Sequence, residues 1–315
     1  MGKTMNYKNI NTLNTFTLDT IPDLDVAVLG ALELFQKEKV PELDIKKYKR
    51  PVVVGSGNAE ATGRIIFEDT DAVFASESNF ESKLKHIPNI DGVILISASG
   101  GKHAPIIAKC AKDLGKSVIL ITNNPNAEAA KFIEDGKIFV FPKNREPYTY
   151  NTSTYMGMIL GRTCENPKEI KNFIEKSTDT ISFPDLSLYN SYFFIVPPKF
   201  SGIIRMLQVK FIELFGRRIA HDVETSEYMK HAVTVVPSGE LFVSFGEENT
   251  TWGEPEKRFH IPLPENAGYA AMMAIGYYTV AQIQKQHPPY FKENIAAYTK
   301  QASGIFGNTI NPIVE

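Results

Sequence analysis

Between residues 51 and 141 the chain alternates short apolar runs with stretches of helical spacing, and this alternation restricts its possible folds more than any other feature. The runs 51–54, 71–75, 92–96, 117–121 and 137–141 are dominated by Val, Ile and Phe. Their length and near-continuous apolar character fit strands buried on both faces. The intervening stretches 60–68, 81–86, 105–114 and 127–134 read as helices. Parallel neighbours need a crossover, so strand–helix alternation implies a parallel sheet with helices on both faces. A second, less regular series follows: strand 192–196, helix 201–215, and strands 219–223, 232–236, 241–245 and 258–261. An apolar helix over 268–286, stopped by His287-Pro288-Pro289, is expected to close the chain. Leu24, Val28, Leu32 and Phe35 place one more helix ahead of both series, over 23–39.

Composition removes several functional classes. A net charge of -2 without a basic block argues against nucleic acid or an anionic membrane as the main partner. No apolar stretch reads as a signal segment or a bilayer span, so a cytoplasmic protein is expected. Cys110 and Cys164 are too few for a disulfide framework or a cysteine-based metal site, and Cys110 reads as helix core. No His/Asp/Glu grouping has metal-ligand spacing, and neither metal nor cofactor is expected.

The chemistry gathers in the turns after the strands. Val54-Gly55-Ser56-Gly57-Asn58 lacks a dinucleotide fingerprint and a P-loop lysine, and reads equally well as a structural turn or a ligand loop. Ser97-Ala98-Ser99-Gly100-Gly101, followed by Lys102 and a helix start, is more telling. It collects hydroxyls, backbone N–H groups and a helix N-terminus at the end of a strand, a combination suited to phosphate. Turn-forming and helix-capping serines are the competing reading.

The turn Gly55-Ser56-Gly57, the loop Ser97-Ala98-Ser99-Gly100 and the strand end Val118–Thr122 resemble the sugar isomerase (SIS) domain. Ala75-Ser76-Glu77 and Thr152-Ser153-Thr154 extend the likeness to the isomerase half of glucosamine-6-phosphate synthase. The resemblance implies an α/β chain of two SIS-like domains, 1–165 with the N-terminal helix and a more degenerate 166–315. It further implies phosphosugar binding by Ser56, Gly57, Ser97, Ser99 and Ser153. Lys102 stands where the family loop carries threonine, and either contacts the phosphate as a point charge or faces solvent.

Glu213 matches the helix glutamate that acts as base in SIS isomerases, and Glu227–His231 resembles the segment supplying a ring-opening histidine, with one extra residue. The expected activity is aldose–ketose isomerisation of a sugar phosphate, amino-sugar phosphates included. Deglycase or deaminase chemistry and a non-catalytic phosphosugar sensor are the alternatives. On the residues alone, Glu213 reads equally as a solvated partner of Arg205, Arg217 or Arg218, and His221 competes with His231. Trp252 reads as a loop anchor or the floor of a sugar site. In related enzymes this histidine can come from the neighbouring subunit, which implies a homodimer. The family synthase's lysine-bearing tail has no match here, so a transamidating synthase is not expected.

Overall fold

The computed structural model describes residues 7–43, 47–134, 137–232 and 237–315. They form two compact units. One holds Glu38–Lys143 and Thr154–Cys164; the other holds Met1–Lys37, Asn144–Ser153 and Glu165–Glu315. The chain opens with α1 (Lys8–Thr15) and α2 (Leu24–Lys37). Both belong to the unit of the second sheet, not to a first domain over 1–165. Their place follows from packing: α2 buries Leu24, Ala27, Val28, Ala31 and Leu32 against helices later in the chain.

The first-sheet unit contains β1 (Pro51–Val54), α3 (Asn58–Ile66), β2 (Val73–Ala75), α4 (Phe80–His86) and β3 (Gly92–Ile96). Next come α5 (His103–Asp113), β4 (Val118–Thr122) and β5 (Ile138–Val140). All five strands are parallel, in the order β2-β1-β3-β4-β5. Val52, Val54, Val93, Leu95 and Leu120 join Ala104, Ile107 and Ala108 of α5 in one core. Cys110 packs partly buried on its edge. The expected helix 127–134 is a 3₁₀ segment, Glu128–Phe132.

Beyond β5 lie β6 (Glu146–Pro147), α6 (Thr152–Thr163) and α7 (Pro167–Phe173). The second-sheet unit continues with β7 (Ser191–Val196), α8 (Ile204–Phe215), β8 (Ala220–Thr225) and the short α9 (Met229–Ala232). β9 (Leu241–Phe245), β10 (Arg258–Ile261), α10 (Tyr269–Gln286), α11 (Tyr290–Phe306) and β11 (Ile313–Val314) complete it. Its strands are again parallel, in the order β10-β9-β7-β8. Of the strand expected over 232–236, residues 233–236 lie outside the described residues, and Ala232 ends α9.

Two differences from expectation have local causes. The stretch 198–203 is 3₁₀ helix, so α8 starts at Ile204. After Pro288-Pro289 the chain does not end its helical structure. Pro289 caps α11, which buries Phe291, Ile295, Thr299 and Ala302 at helical intervals. β11 then pairs antiparallel with β6. Among the described residues, no helix is long and apolar enough to cross a membrane.

Candidate functional site

In the first sheet β1 lies between β2 and β3. The chain therefore leaves β1 toward one edge and β3 toward the other, and the crevice at their carboxyl ends is where open α/β sheets bind ligands. Ser56 and Gly57 follow β1; Ser97 to Lys102 follow β3. Ser97 is half-buried, while Ser56, Ser99 and Lys102 are exposed. The structure thus brings these residues to adjacent strand ends.

The β3 loop is fixed from behind through its carbonyl groups. Thr122 Oγ1 donates to Ala98 O at 3.0 Å, Asn124 Nδ2 to Ser99 O at 2.9 Å, and Ala129 N to Gly100 O at 2.9 Å. The Gly100 and Gly101 N–H groups donate to the hydroxyls of Ser97 and Ser99, at 3.2 and 3.3 Å. Gly100 has φ +62, and a Cβ there would lie 2.3 Å from Ala127 Cβ, so only glycine fits. Lys102 takes φ 53 at the start of α5, an uncommon conformation for a side-chain-bearing residue, of the sort that collects at ligand loops. The first N–H groups of α5 lack partners within the helix and point to the same end.

Ser56 donates its hydroxyl to Glu77 after β2. That bond, assisted by the nearby His103, holds the Glu77 carboxyl below its usual range. The Ser56 hydroxyl proton is thus engaged by Glu77.

Ser153 is placed differently from the expectation. Its side chain is fully buried in the second-sheet unit; its hydroxyl donates to Glu146 and accepts from Asn144 N at 2.9 Å. Glu146 also accepts the N–H groups of Thr152 and Ser153, at 2.7 and 2.8 Å, and so caps α6. Burial pushes the Glu146 carboxyl up, against these bonds. Ser153 therefore serves a helix cap, with no hydroxyl left for a phosphate.

Glu213 is not a solvated helix residue. Its side chain is 18% exposed and lies 2.7 Å from Lys210 Nζ, one helical turn earlier on α8. Lys210 is fully buried, its ammonium donating to Thr149 O and Tyr150 O at 2.6 Å each and lying 5.0 Å from the Tyr277 ring centre. Burial raises the Glu213 carboxyl above its usual range, opposed by the Lys210 charge. Glu213 lines a cavity of about 380 Å³, with Tyr290, Asn294 and Tyr298 of α11 among its walls. Of the flanking arginines, Arg218 stacks on Tyr290 at 4.3 Å.

The histidines separate clearly. His221, on β8, stacks on Phe211 with ring centres 4.9 Å apart, and burial lowers its pKa. His231 is exposed on α9. Sequence reasoning missed Lys210 and Glu146. A lysine three residues before Glu213 within the apolar run of α8 was the available signal for the first; Glu146 offered none, because its partners lie across a turn.

No protein-family model matches the sequence, and no curated protein does. Solved structures do match in fold. The C-terminal domain of glucosamine-fructose-6-phosphate aminotransferase from Francisella tularensis aligns with a TM-score of 0.57 and 14% identity, covering 89% of this chain and 98% of that one. Glucosamine-6-phosphate deaminase from Thermotoga maritima gives 0.59 and 16%, covering 84% and 92%. Tagatose-6-phosphate ketose/aldose isomerase from Escherichia coli gives 0.55 and 12%, covering 90% and 91%. With two parallel sheets flanked by helices and these likenesses across most of its length, the chain shares the double-SIS fold of these solved structures.

Proposed function

We propose that the protein is an aldose–ketose isomerase acting on a sugar phosphate. The observation that carries this reading is Glu213: a shielded carboxylate, paired with a buried lysine, that opens on a cavity. An enediol route needs one base that takes the proton from C2 of an open-chain aldose and returns it to C1. Glu213 serves as that base. Lys210, locked by two carbonyls, opposes the effect of burial on the Glu213 carboxyl and holds it in one orientation, a positioning role. The loop Ser97–Lys102, with Ser56 and Gly57 beside it, holds the phosphate. His231 assists ring opening as acid/base.

The reading includes a homodimer. α11 exposes Tyr298, Ile305 and Phe306, an apolar strip of the kind that subunit contacts cover.

The test is Glu213→Gln, which keeps the shape and removes the basic carboxylate. The expected result is a kcat lower by about a hundredfold or more, with phosphosugar affinity little changed. An unchanged kcat overturns the assignment of the base.

A further inference from the structure

The second sheet repeats the arrangement of the first. Its order, read as β8-β7-β9-β10, reproduces β2-β1-β3-β4, so β7 and β9 flank a strand-order reversal of their own. The loop after β8 even repeats a motif: Thr225-Ser226-Glu227 stands where Ala75-Ser76-Glu77 follows β2. At the carboxyl ends of these strands lies a cleft of about 450 Å³, larger than the one beside Glu213.

The chemistry of this cleft is opposite to that of the phosphate loop. Glu227, Glu247 and Glu248 face it, against the single ammonium of Lys230. Where the first sheet presents Ser97, Ser99 and Lys102, the second presents carboxylates, which repel a phosphate and attract an ammonium. Trp252 forms one wall, packed on the core of Ile195, Met229 and Phe242. An indole face suits both sugar C–H groups and a cation. Hydroxyls of Ser226, Thr250 and Thr251 complete the lining.

The wall is built in advance of any ligand. Arg258 donates to Thr250 O at 2.6 Å, to Thr251 O and Trp252 O at 3.0 Å each, and to Gly253 O at 2.5 Å. Asn249 ties both ends of the same turn, accepting from Trp252 N at 2.8 Å and donating to Trp252 O at 2.7 Å. Ser226 Oγ donates to Glu247 at 2.8 Å and fixes one carboxylate. A rigid aromatic wall with a fixed carboxylate loses little freedom on binding.

We propose that this cleft is a second ligand site, which takes a small polyhydroxylated amine of the amino-sugar class and rejects its phosphate ester. The site is built from other residues than the loop Ser97–Lys102 and stands whether or not Glu213 is a catalytic base.

Trp252 is the only tryptophan, so the emission of the full chain reports on this cleft. The experiment titrates the protein with glucosamine, N-acetylglucosamine and glucosamine 6-phosphate. A saturable change with glucosamine is expected, at least about tenfold weaker for the other two, since one lacks the charge and the other adds the wrong one. Glu247→Gln with Glu248→Gln, both exposed positions, is expected to weaken glucosamine about tenfold at an unchanged Tm. Ser97→Ala with Ser99→Ala is expected to leave this response intact while weakening phosphosugar binding, which separates the two sites. No saturable response to glucosamine up to roughly 10 mM overturns the proposal. Equal affinity for glucosamine and N-acetylglucosamine, or for glucosamine and its phosphate, overturns it as well.

Discussion

Lys210 and Glu213 form a pair that bears on stability and, in the proposed function, on chemistry. A fully buried ammonium is tolerated because two carbonyls and a carboxylate surround it. Lys210→Met removes the charge that Glu213 faces, and breaking such a pair costs about 3–5 kcal/mol. The expected outcome is a lower denaturation midpoint at unchanged m-value, measured by urea unfolding. The raised Glu213 pKa also fixes a pH dependence. A base works only unprotonated, so the acid limb of kcat/KM is expected above the ordinary carboxylate range, and to vanish in Glu213→Gln. For stability the sign is reversed: a carboxyl with a raised folded pKa favours the folded state below its unfolded value, and that contribution is lost as pH rises through the folded pKa. At the loop proposed to hold the phosphate, replacing Ser97 and Ser99 together by alanine should weaken phosphosugar affinity about tenfold or more, because a hydrogen bond to a charged group contributes roughly 1.5–3 kcal/mol. Isothermal titration checks it.

At the scale of elements, the strands were the most legible part of the sequence. Residues 51–54, 92–96, 241–245 and 258–261 match β1, β3, β9 and β10 in both bounds. β1, β3 and β9 are buried along their whole length and so read as near-continuous apolar runs, a local signal, whereas β10, with Arg258 and His260 alternating with Phe259 and Ile261, is only partly buried. The helix α11 was illegible for the opposite reason: its apolar positions are spaced among polar ones, and the preceding prolines read as an end. The loop Ser97–Lys102 stood out in the sequence because serine is not required to turn a chain, and the structure places it at a strand end beside β1. Ser153 misled because a serine opening a helix looks the same whether it binds a ligand or a buried carboxylate. The Lys210–Glu213 pairing is local in sequence, but the carbonyls of Thr149 and Tyr150 that complete it are distant. Gly100→Ala tests the loop itself: with the left-handed φ and the Ala127 contact, it should shift the β3 loop and weaken phosphate binding with little change elsewhere.

For the whole molecule, the grouping of α1 and α2 with the second sheet could not be read from chain order, since packing joins segments far apart in sequence. The proposed homodimer is checked by light scattering at micromolar concentration, where twice the chain mass of 35.2 kDa is expected. Charged replacements at Ile305 and Phe306 should shift the particle toward monomer. The central claim concerns proton transfer at carbon, and solvent exchange reads it without knowledge of the natural sugar. Each sugar phosphate that binds is incubated with the protein in D2O, and C1 and C2 are followed by NMR. The account predicts deuterium entering at one of these carbons with the wild-type chain and at neither with Glu213→Gln. Absence of exchange in the wild-type chain, with every sugar phosphate that binds it, contradicts the account.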